Sequence, residues 1–178
     1  MPRNKRDIDA QLKRDHIVAQ ATRLWLAHGF DDTSMAAIAR EAGISPNTIY
    51  WYFAGKDDLL VAAMDRITPE LAQGYVLSGL PTALERLTWL ITQLKTYNPL
   101  VQAIHARLAH SEVVRVWHER YHQALERLLT AHLLKQGVPP ERAPLMATVG
   151  TFVFEGLLSH PHTQAQQHAI LAWMAEGR

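Results

Sequence analysis

Residues 43–53 read GISPNTIYWYF, and how this stretch folds decides the rest. Gly43 stops whatever helix precedes it. Ser45 is an N-cap residue, whose hydroxyl accepts from the backbone of the next turn, and Pro46 suits the first helical position, where a missing N–H costs nothing. The segment therefore predicts a short helix from residue 46 to about residue 53. Tyr50, Trp51, Tyr52 and Phe53 are consecutive, so at about 100° per residue they point all round the axis and at least one faces outward. Ile49 and Phe53, four apart, form the inward pair. Tyrosine is left for the outer face, and Trp51 lies either at its edge or packed inward. The competing reading of the four rings is a buried aromatic cluster.

Upstream, Thr33 and Ser34 precede a second short helix in which Met35, Ile38, Ala39 and Ala42 share one side. Before it, a longer helix over residues 10–28 aligns Ile17, Ala21, Leu24 and Trp25 on one stripe, and Gly29 ends it. Downstream, Gly55 and Lys56 open a fourth helix, with Asp57 and Asp58 against its positive end. It is expected to reach about residue 67, where Thr68-Pro69 breaks or restarts it. Two short helices joined by the tight turn AGIS, behind a long packing helix, make a helix-turn-helix. The second helix of such a pair lies in the DNA major groove with its N-terminal residues at the base edges. A tyrosine on its outer face reaches phosphate oxygens or lies on a thymine methyl.

The 178-residue chain is 48% hydrophobic, enough to bury a core, and no run approaches 18 uncharged apolar residues, so no membrane span is expected. The absence of cysteine excludes disulfides and thiolate metal sites. The leading MPRNKRDIDAQ lacks the apolar core of a secretory signal, and the expectation is a soluble cytoplasmic protein. The formal net charge of +1 is unevenly placed: Arg3, Lys5, Arg6, Lys13 and Arg14 face only Asp7 and Asp9, a surplus of three, and residues 15–178 sum to −2. Such an arm either follows a phosphate backbone or is an ordinary solvated terminus. Period-two alternation is missing, and Gly and Pro fall at plausible helix boundaries, so the fold class is all-α.

The segment GFDDTSMAAIAREAGISPNTIYWYFAGKDDLL, residues 29–60, combines GF before a TS pair, IA then AG, a recognition helix ending in Y-x-x-F, and a Lys followed by an acidic pair and LL. Over residues 10–62 this resembles the DNA-binding domain of the TetR family of helix-turn-helix transcriptional repressors. The resemblance implies an N-terminal three-helix DNA-binding domain with its basic arm, residues 1–56, joined to a C-terminal helical ligand-binding and dimerisation domain, residues 57–178. It implies that Ser34 binds phosphate through its hydroxyl and helix start. Pro46, Asn47 and Tyr50 resemble the base-reading set, and Thr48, Tyr52 and Lys56 the phosphate contacts, with Ser45 among the DNA-binding residues. At Ala36 the family often carries an arginine able to reach guanine, so here the third helix and the basic arm carry more of the recognition.

Beyond residue 70, Leu80, Leu84, Leu87, Ile91 and Leu94 form one stripe, closed by Asn98-Pro99, and Leu100, Ile104 and Leu108 a shorter one. A long helix over residues 112–135 sets Trp117, Tyr121, Ala124, Leu128 and His132 along one side, ended by Gly137 and Pro139-Pro140. Residues 144–158 are apolar nearly all round, and AQQHAILAWMAE forms the last helix. A helix apolar on all faces must be covered on all faces. In so small a chain a second subunit is the expected cover, and the resemblance implies the same, a four-helix bundle from the last two helices of each subunit. Gly150 and Gly156 either let helices approach closely or are merely tolerated. Trp89, Gln93, His105, Trp117, His118, Tyr121 and Phe152 line an effector cavity or are plain core. Glu155, in TFVFEGLL, would be costly as an unpaired buried carboxylate, so it faces a cation, a donor across a dimer, or water.

His118 and His122 have the i, i+4 spacing of a helical metal-ligand pair, and Glu126 continues that face. The segment HERYHQALER nevertheless reads as charged and solvated, and no third ligand is fixed from elsewhere, so no metal or other cofactor is expected. GxSxG, the P-loop, GxGxxG after a strand and HExxH are all missing, and catalysis is not expected. Two function classes remain. One is a ligand-responsive repressor that binds an inverted-repeat, double-stranded operator as a homodimer and is released by a small, partly apolar effector. The other is an architectural or cofactor-recruiting DNA-binding protein that uses the same dimer without a ligand.

Overall fold

The computed structural model describes residues 5–176, with side chains from residue 9 onward. The described residues are helical with no strand: α1 Lys5–His28, α2 Met35–Glu41, α3 Pro46–Ile49, α4 Lys56–Leu77, α5 Ala83–Thr96, α6 Asn98–Arg107, α7 Glu112–Lys135, α8 Ala143–Ser159 and α9 Gln164–Glu176. They form two packed units. The first takes in the described part of Met1–Pro69 together with Pro99–Val114, and the second takes in Glu70–Asn98 and the described part of Arg115–Arg178.

In the first unit α1 packs on α2 and α2 on α3. Trp25, Ile38, Ile49, Leu59, Leu60 and Leu100 are fully buried, each side chain contributing roughly 1.5–3 kcal/mol. α1 begins five residues before the apolar stripe predicts, because KRDID contains no helix breaker and its polar residues carry no periodic signal. α3 is shorter than expected. Tyr50 caps it, and the chain continues in tight turns, Trp51 N–H donating to the Thr48 carbonyl at 3.1 Å and Tyr52 N–H to that of Ile49 at 3.0 Å. Four successive rings lose side-chain freedom against preceding helical turns, which favours this early exit.

α4 corrects the expected break at Thr68-Pro69: the helix passes through Pro69 to Leu77. The ring removes one backbone donor, and beside it the Thr68 hydroxyl donates to the Met64 carbonyl at 2.9 Å. The punctuation appears in the packing instead, since the boundary between the two units falls directly after Pro69.

In the second unit α5 opens with a capping box. Glu85 N–H donates to Thr82 Oγ1 at 3.2 Å, and Thr82 N–H returns a bond to Glu85 Oε2 at 3.1 Å. α5 packs on α8 and α9 around Ile91, Leu157 and Leu171, with Leu87, Val153 and Ile170 at the margin. Trp89 of α5 lies against Gly74 of α4, where a Cβ would stand 2.8 Å from Cη2 of the indole. α7 has the expected bounds. α8 is only half covered: Ala147, Thr151 and Leu157 are buried, whereas Leu145, Val149 and Phe152 are 67%, 41% and 63% exposed, and Trp173 of α9 is 56% exposed.

Candidate nucleic-acid interface

The α2–α3 turn is locked by backbone chemistry. Gly43 takes φ +67°, its N–H donates to the Arg40 carbonyl at 3.1 Å, and Ile44 N–H reaches the Ala39 carbonyl at 3.0 Å. This paired closure needs a left-handed residue, which glycine supplies without strain. At the next helix Ser45 Oγ accepts from Thr48 N–H at 3.1 Å and shares a 2.7 Å hydrogen bond with the Thr48 hydroxyl. Ser34 caps α2 in the same way, accepting from Ala37 N–H at 3.1 Å. Ile49 and Phe53 face inward as the spacing predicts, and the Arg14 guanidinium covers the Phe53 ring at 4.8 Å.

The opposite face is open. Ser34, Ser45, Pro46 and Asn47 are exposed, and Thr48 and Tyr52 are half-buried. Tyr50 and Trp51 are 56% and 88% exposed. Of the two options of the sequence for Trp51, inward packing is excluded by this exposure. Of the basic arm, Arg3 lies outside the described residues, as do the side chains of Lys5 and Arg6.

Lys56 is more constrained than a free surface cation. Its Nζ donates to the Asp31 carbonyl at 3.2 Å and sits 4.3 Å above the Phe30 ring, which itself packs 5.2 Å from Trp25. Burial lowers its affinity for a proton, and the nearby Asp31 charge offsets this only in part. Sequence spacing gave no sign of this seat, since Asp31 and Phe30 lie a whole helix-turn-helix away. Glu41, the one carboxylate between Ser34 and Lys56, is paired with Arg23, so no uncompensated negative charge stands among these positions.

Behind Lys56, Asp57 pairs with Arg107 of α6 at 2.8 Å. Burial pushes the Asp57 carboxyl up, but hydrogen bonds from Arg107 and Ser111, with the charges of Arg107 and Lys56, together hold it below the usual aspartate value. The bond to Asp57 raises Arg107 in turn.

The candidate effector residues do not all converge. Trp117 is buried and stacks on Tyr121, with centroids 5.2 Å apart and planes 7° from parallel. Burial raises the Tyr121 phenol, and the charge of Glu155 adds to this. Trp117, Tyr121 and Glu155 therefore form one group on α7 and α8. Trp89 is seated at Gly74, Gln93 is half-buried on α5, and His105 is half-buried on α6 in the first unit. Phe152 points outward on α8 and lines no interior within this chain.

Glu155 finds its partner within the chain, His122 Nε2 at 2.9 Å. HERYHQALER is accordingly not simply solvated: the His122 side chain is 20% exposed, and its ring lies 4.1 Å from that of His118. Glu126 accepts from the Thr148 hydroxyl at 3.2 Å. No helix among the described residues is long and apolar enough to cross a membrane.

A short capped helix with a buried inner pair and an open outer face, held behind α2 by a glycine turn, defines the helix-turn-helix class of DNA-binding protein. The family model for bacterial regulatory proteins of the tetR family matches residues 17–63. The HTH-type transcriptional regulator SrpR of Pseudomonas putida is 26% identical over 164 residues, covering 85% of this chain and 74% of that protein. BetI of Brucella anthropi, also an HTH-type transcriptional regulator, is 28% identical over 159 residues, covering 82% and 79%. Among solved structures, a TetR transcription regulator from Haloarcula marismortui superposes with TM-score 0.71 at 16% identity, covering 94% of this chain and 98% of that one, which speaks for the fold. The helix-turn-helix of this chain, over residues 17–63, is thus that of the TetR family of bacterial regulatory proteins.

Proposed function

We propose that the protein is a repressor that binds a double-stranded, inverted-repeat operator as a homodimer and releases it when a small molecule occupies residues 57–178, its ligand-binding and dimerisation domain. The observation that carries the DNA half is the seating of residues 46–53, with Ile49 and Phe53 inside and Pro46, Asn47, Tyr50 and Trp51 outside. In this reading Pro46, Asn47 and Tyr50 meet base edges, where the Asn47 amide suits adenine. Ser34, Ser45, Thr48, Tyr52 and Lys56 meet phosphates, and Trp51 joins them at the groove wall. The homodimer is supported by the uncovered apolar stripe of Leu145, Val149 and Phe152 beside Trp173. A two-fold dimer requires half-sites in major grooves about 34–36 Å apart on one side of the duplex. Trp117, Tyr121 and Glu155 are the core of the effector set. Binding there favours a dimer whose recognition helices no longer match successive grooves, a population shift.

The test uses a selected operator and a base-substituted panel at several salt concentrations. Asn47→Ala is expected to cost about 1–3 kcal/mol on the preferred sequence and to relax preference at one base pair per half-site. Lys56→Met keeps an unbranched side chain but removes the ammonium that sits over Phe30. It is expected to weaken all sequences alike and to lower the salt slope by about two per dimer. If both folded variants keep wild-type preferences and slope, the groove assignment is wrong. For the ligand half, a thermal-shift screen with and without operator should find a compound that stabilises the free protein and weakens the complex. A library that yields none favours the architectural reading.

A further inference from the structure

We infer that Arg107 of α6 is a positioning residue for DNA binding: it touches no DNA, but it holds the Asp57 carboxylate away from the Lys56 ammonium and so keeps that ammonium free for a phosphate. The inference rests on the reading of Lys56 as a phosphate contact. Pro99–Val114, which takes in most of α6, packs in one unit with α1 to α3 and the first part of α4. Arg107 Nη2 donates to Asp57 Oδ2 at 2.8 Å across 50 residues of sequence, and Asp57 follows Lys56 directly at the start of α4. Lys56 Nζ is fixed over Phe30 and gives one of its three N–H bonds to the Asp31 carbonyl. The other two can serve an acceptor from outside the chain.

The charges decide what Arg107 does. Three carboxylates, Asp31, Asp32 and Asp57, attract the Lys56 ammonium, and the Arg107 guanidinium opposes them. Arg107 acts in turn on both Asp57 and Asp31. Two cations therefore face three anions, and removing Arg107 would take this group from one net negative charge to two, where a phosphate must arrive. Asp57, beside Lys56 and no longer paired, would then compete with phosphate for the ammonium. Ser111 also bonds the Asp57 carboxylate, but a neutral hydroxyl orients that charge without cancelling it. The Arg107 and Asp57 side chains are 37% and 20% exposed, so the pair is partly screened and its effect on binding is modest. A purely structural tie would make the loss of either partner equivalent. The electrostatic role makes the two losses differ in sign.

The experiment measures operator binding by the full-length protein at several salt concentrations, with a melting curve for each variant. Arg107→Ala is expected to weaken every operator sequence by about three- to tenfold per dimer and to lower the salt slope toward that of Lys56→Met. Asp57→Asn breaks the same pair but removes the carboxylate, so it should bind as tightly as wild type or more tightly. Adding Asp57→Asn to Arg107→Ala should restore wild-type affinity, and Arg107→Lys, which keeps the cation, should stay within about twofold of it. Equal losses in Arg107→Ala and Asp57→Asn that follow their melting temperatures overturn the inference. So does a double variant that binds no better than Arg107→Ala, the behaviour of an arginine that itself touches DNA. If Arg107→Ala loses helix content, Arg107→Gln decides, because it keeps a donor without the charge: wild-type affinity and slope in that variant refute the proposal. Lys56→Met separates the two readings. If it lowers the slope and Arg107→Ala does not, Lys56 meets phosphate and Arg107 is not its positioning residue. If Lys56→Met keeps the wild-type slope, the phosphate reading fails and takes this inference with it.

Discussion

The α2–α3 turn and helix α8 both present apolar surface to water, but of different kinds. In the first, Met35, Ile38, Ile49 and Phe53 all find cover within their own chain, and what remains outside is Tyr50 and Trp51, rings with polar tips. In the second, the uncovered residues are hydrocarbon: Leu145, Val149 and Phe152. Amphipathic rings tolerate water and suit a wet, polar partner that comes and goes, such as DNA. A bare aliphatic and phenyl stripe is the composition of a lasting subunit interface, a core cut in half. The first region is finished and waits for a ligand. In the proposed homodimer, a second copy covers the second.

The largest expected effect tests that second statement. Phe152→Glu places a carboxylate on the stripe of each copy. It should convert the dimer to monomer at micromolar concentration in sedimentation velocity, with helix content retained and operator binding lost. Val153→Glu must behave differently, because Val153 packs toward Ile91, Leu157 and Leu171. A carboxylate buried there is expected to unfold the second unit, not merely to separate two subunits. A Phe152→Glu protein that remains dimeric would erase the distinction between the two regions.

A smaller effect asks how complete the first region is without later chain. Arg107 of α6 ties to Asp57 at the start of α4, directly beside Lys56. Arg107→Ala should cost about 1 kcal/mol, a modest value because the guanidinium is partly solvated. The Asp57 carboxyl is held below its unfolded value, so its contribution is full above ~pH 4 and disappears as pH falls through the folded value. The stability gap between wild type and variant should therefore be present at pH 7 and close in acid, measured by denaturant melts at both. A gap that stays constant with pH would show that Arg107 acts by packing alone.

The first region was largely legible in the sequence, and the second only in outline. Ser34, Ser45, Pro46 and Gly43 act through local backbone chemistry, and Ile49 and Phe53 through spacing, all of which one segment of sequence contains. Pro69 was misjudged because a helix can lose one hydrogen bond when its neighbours hold it in place. Trp51 was ambiguous because its direction depends on where α3 ends, a matter of one or two residues. Residues 144–158 are apolar nearly all round, so periodicity could not tell outward Phe152 from inward Val153, nor place Phe152 off the effector set. The Glu155–His122 contact joins residues 33 apart and the seat of Lys56 on Asp31 and Phe30 joins residues 25 and 26 apart, and no local pattern encodes such meetings.

The smallest expected effects come from two glycines, one in each setting. Within a helix, Gly→Ala ordinarily stabilises by about 0.5–1 kcal/mol, since alanine has less backbone freedom to lose. At Gly74 the new methyl would lie 2.8 Å from Cη2 and 3.2 Å from Cζ2 of Trp89, a stiff ring that must shift as a whole. Overpacking of this kind costs about 1–3 kcal/mol, so Gly74→Ala should lower stability slightly and change tryptophan fluorescence. At Gly156 a methyl meets nothing within 4 Å in its own chain, so Gly156→Ala should show the ordinary gain. If a second copy approaches closely at Gly156, that gain is offset by weaker association, and the two contributions separate in unfolding curves across a concentration series. A Gly156→Ala protein stabilised equally at every concentration would place the subunit contact on the Leu145–Phe152 side of α8 and away from Gly156. A Gly74→Ala protein more stable than wild type would mean that Trp89 is not held against α4 at all.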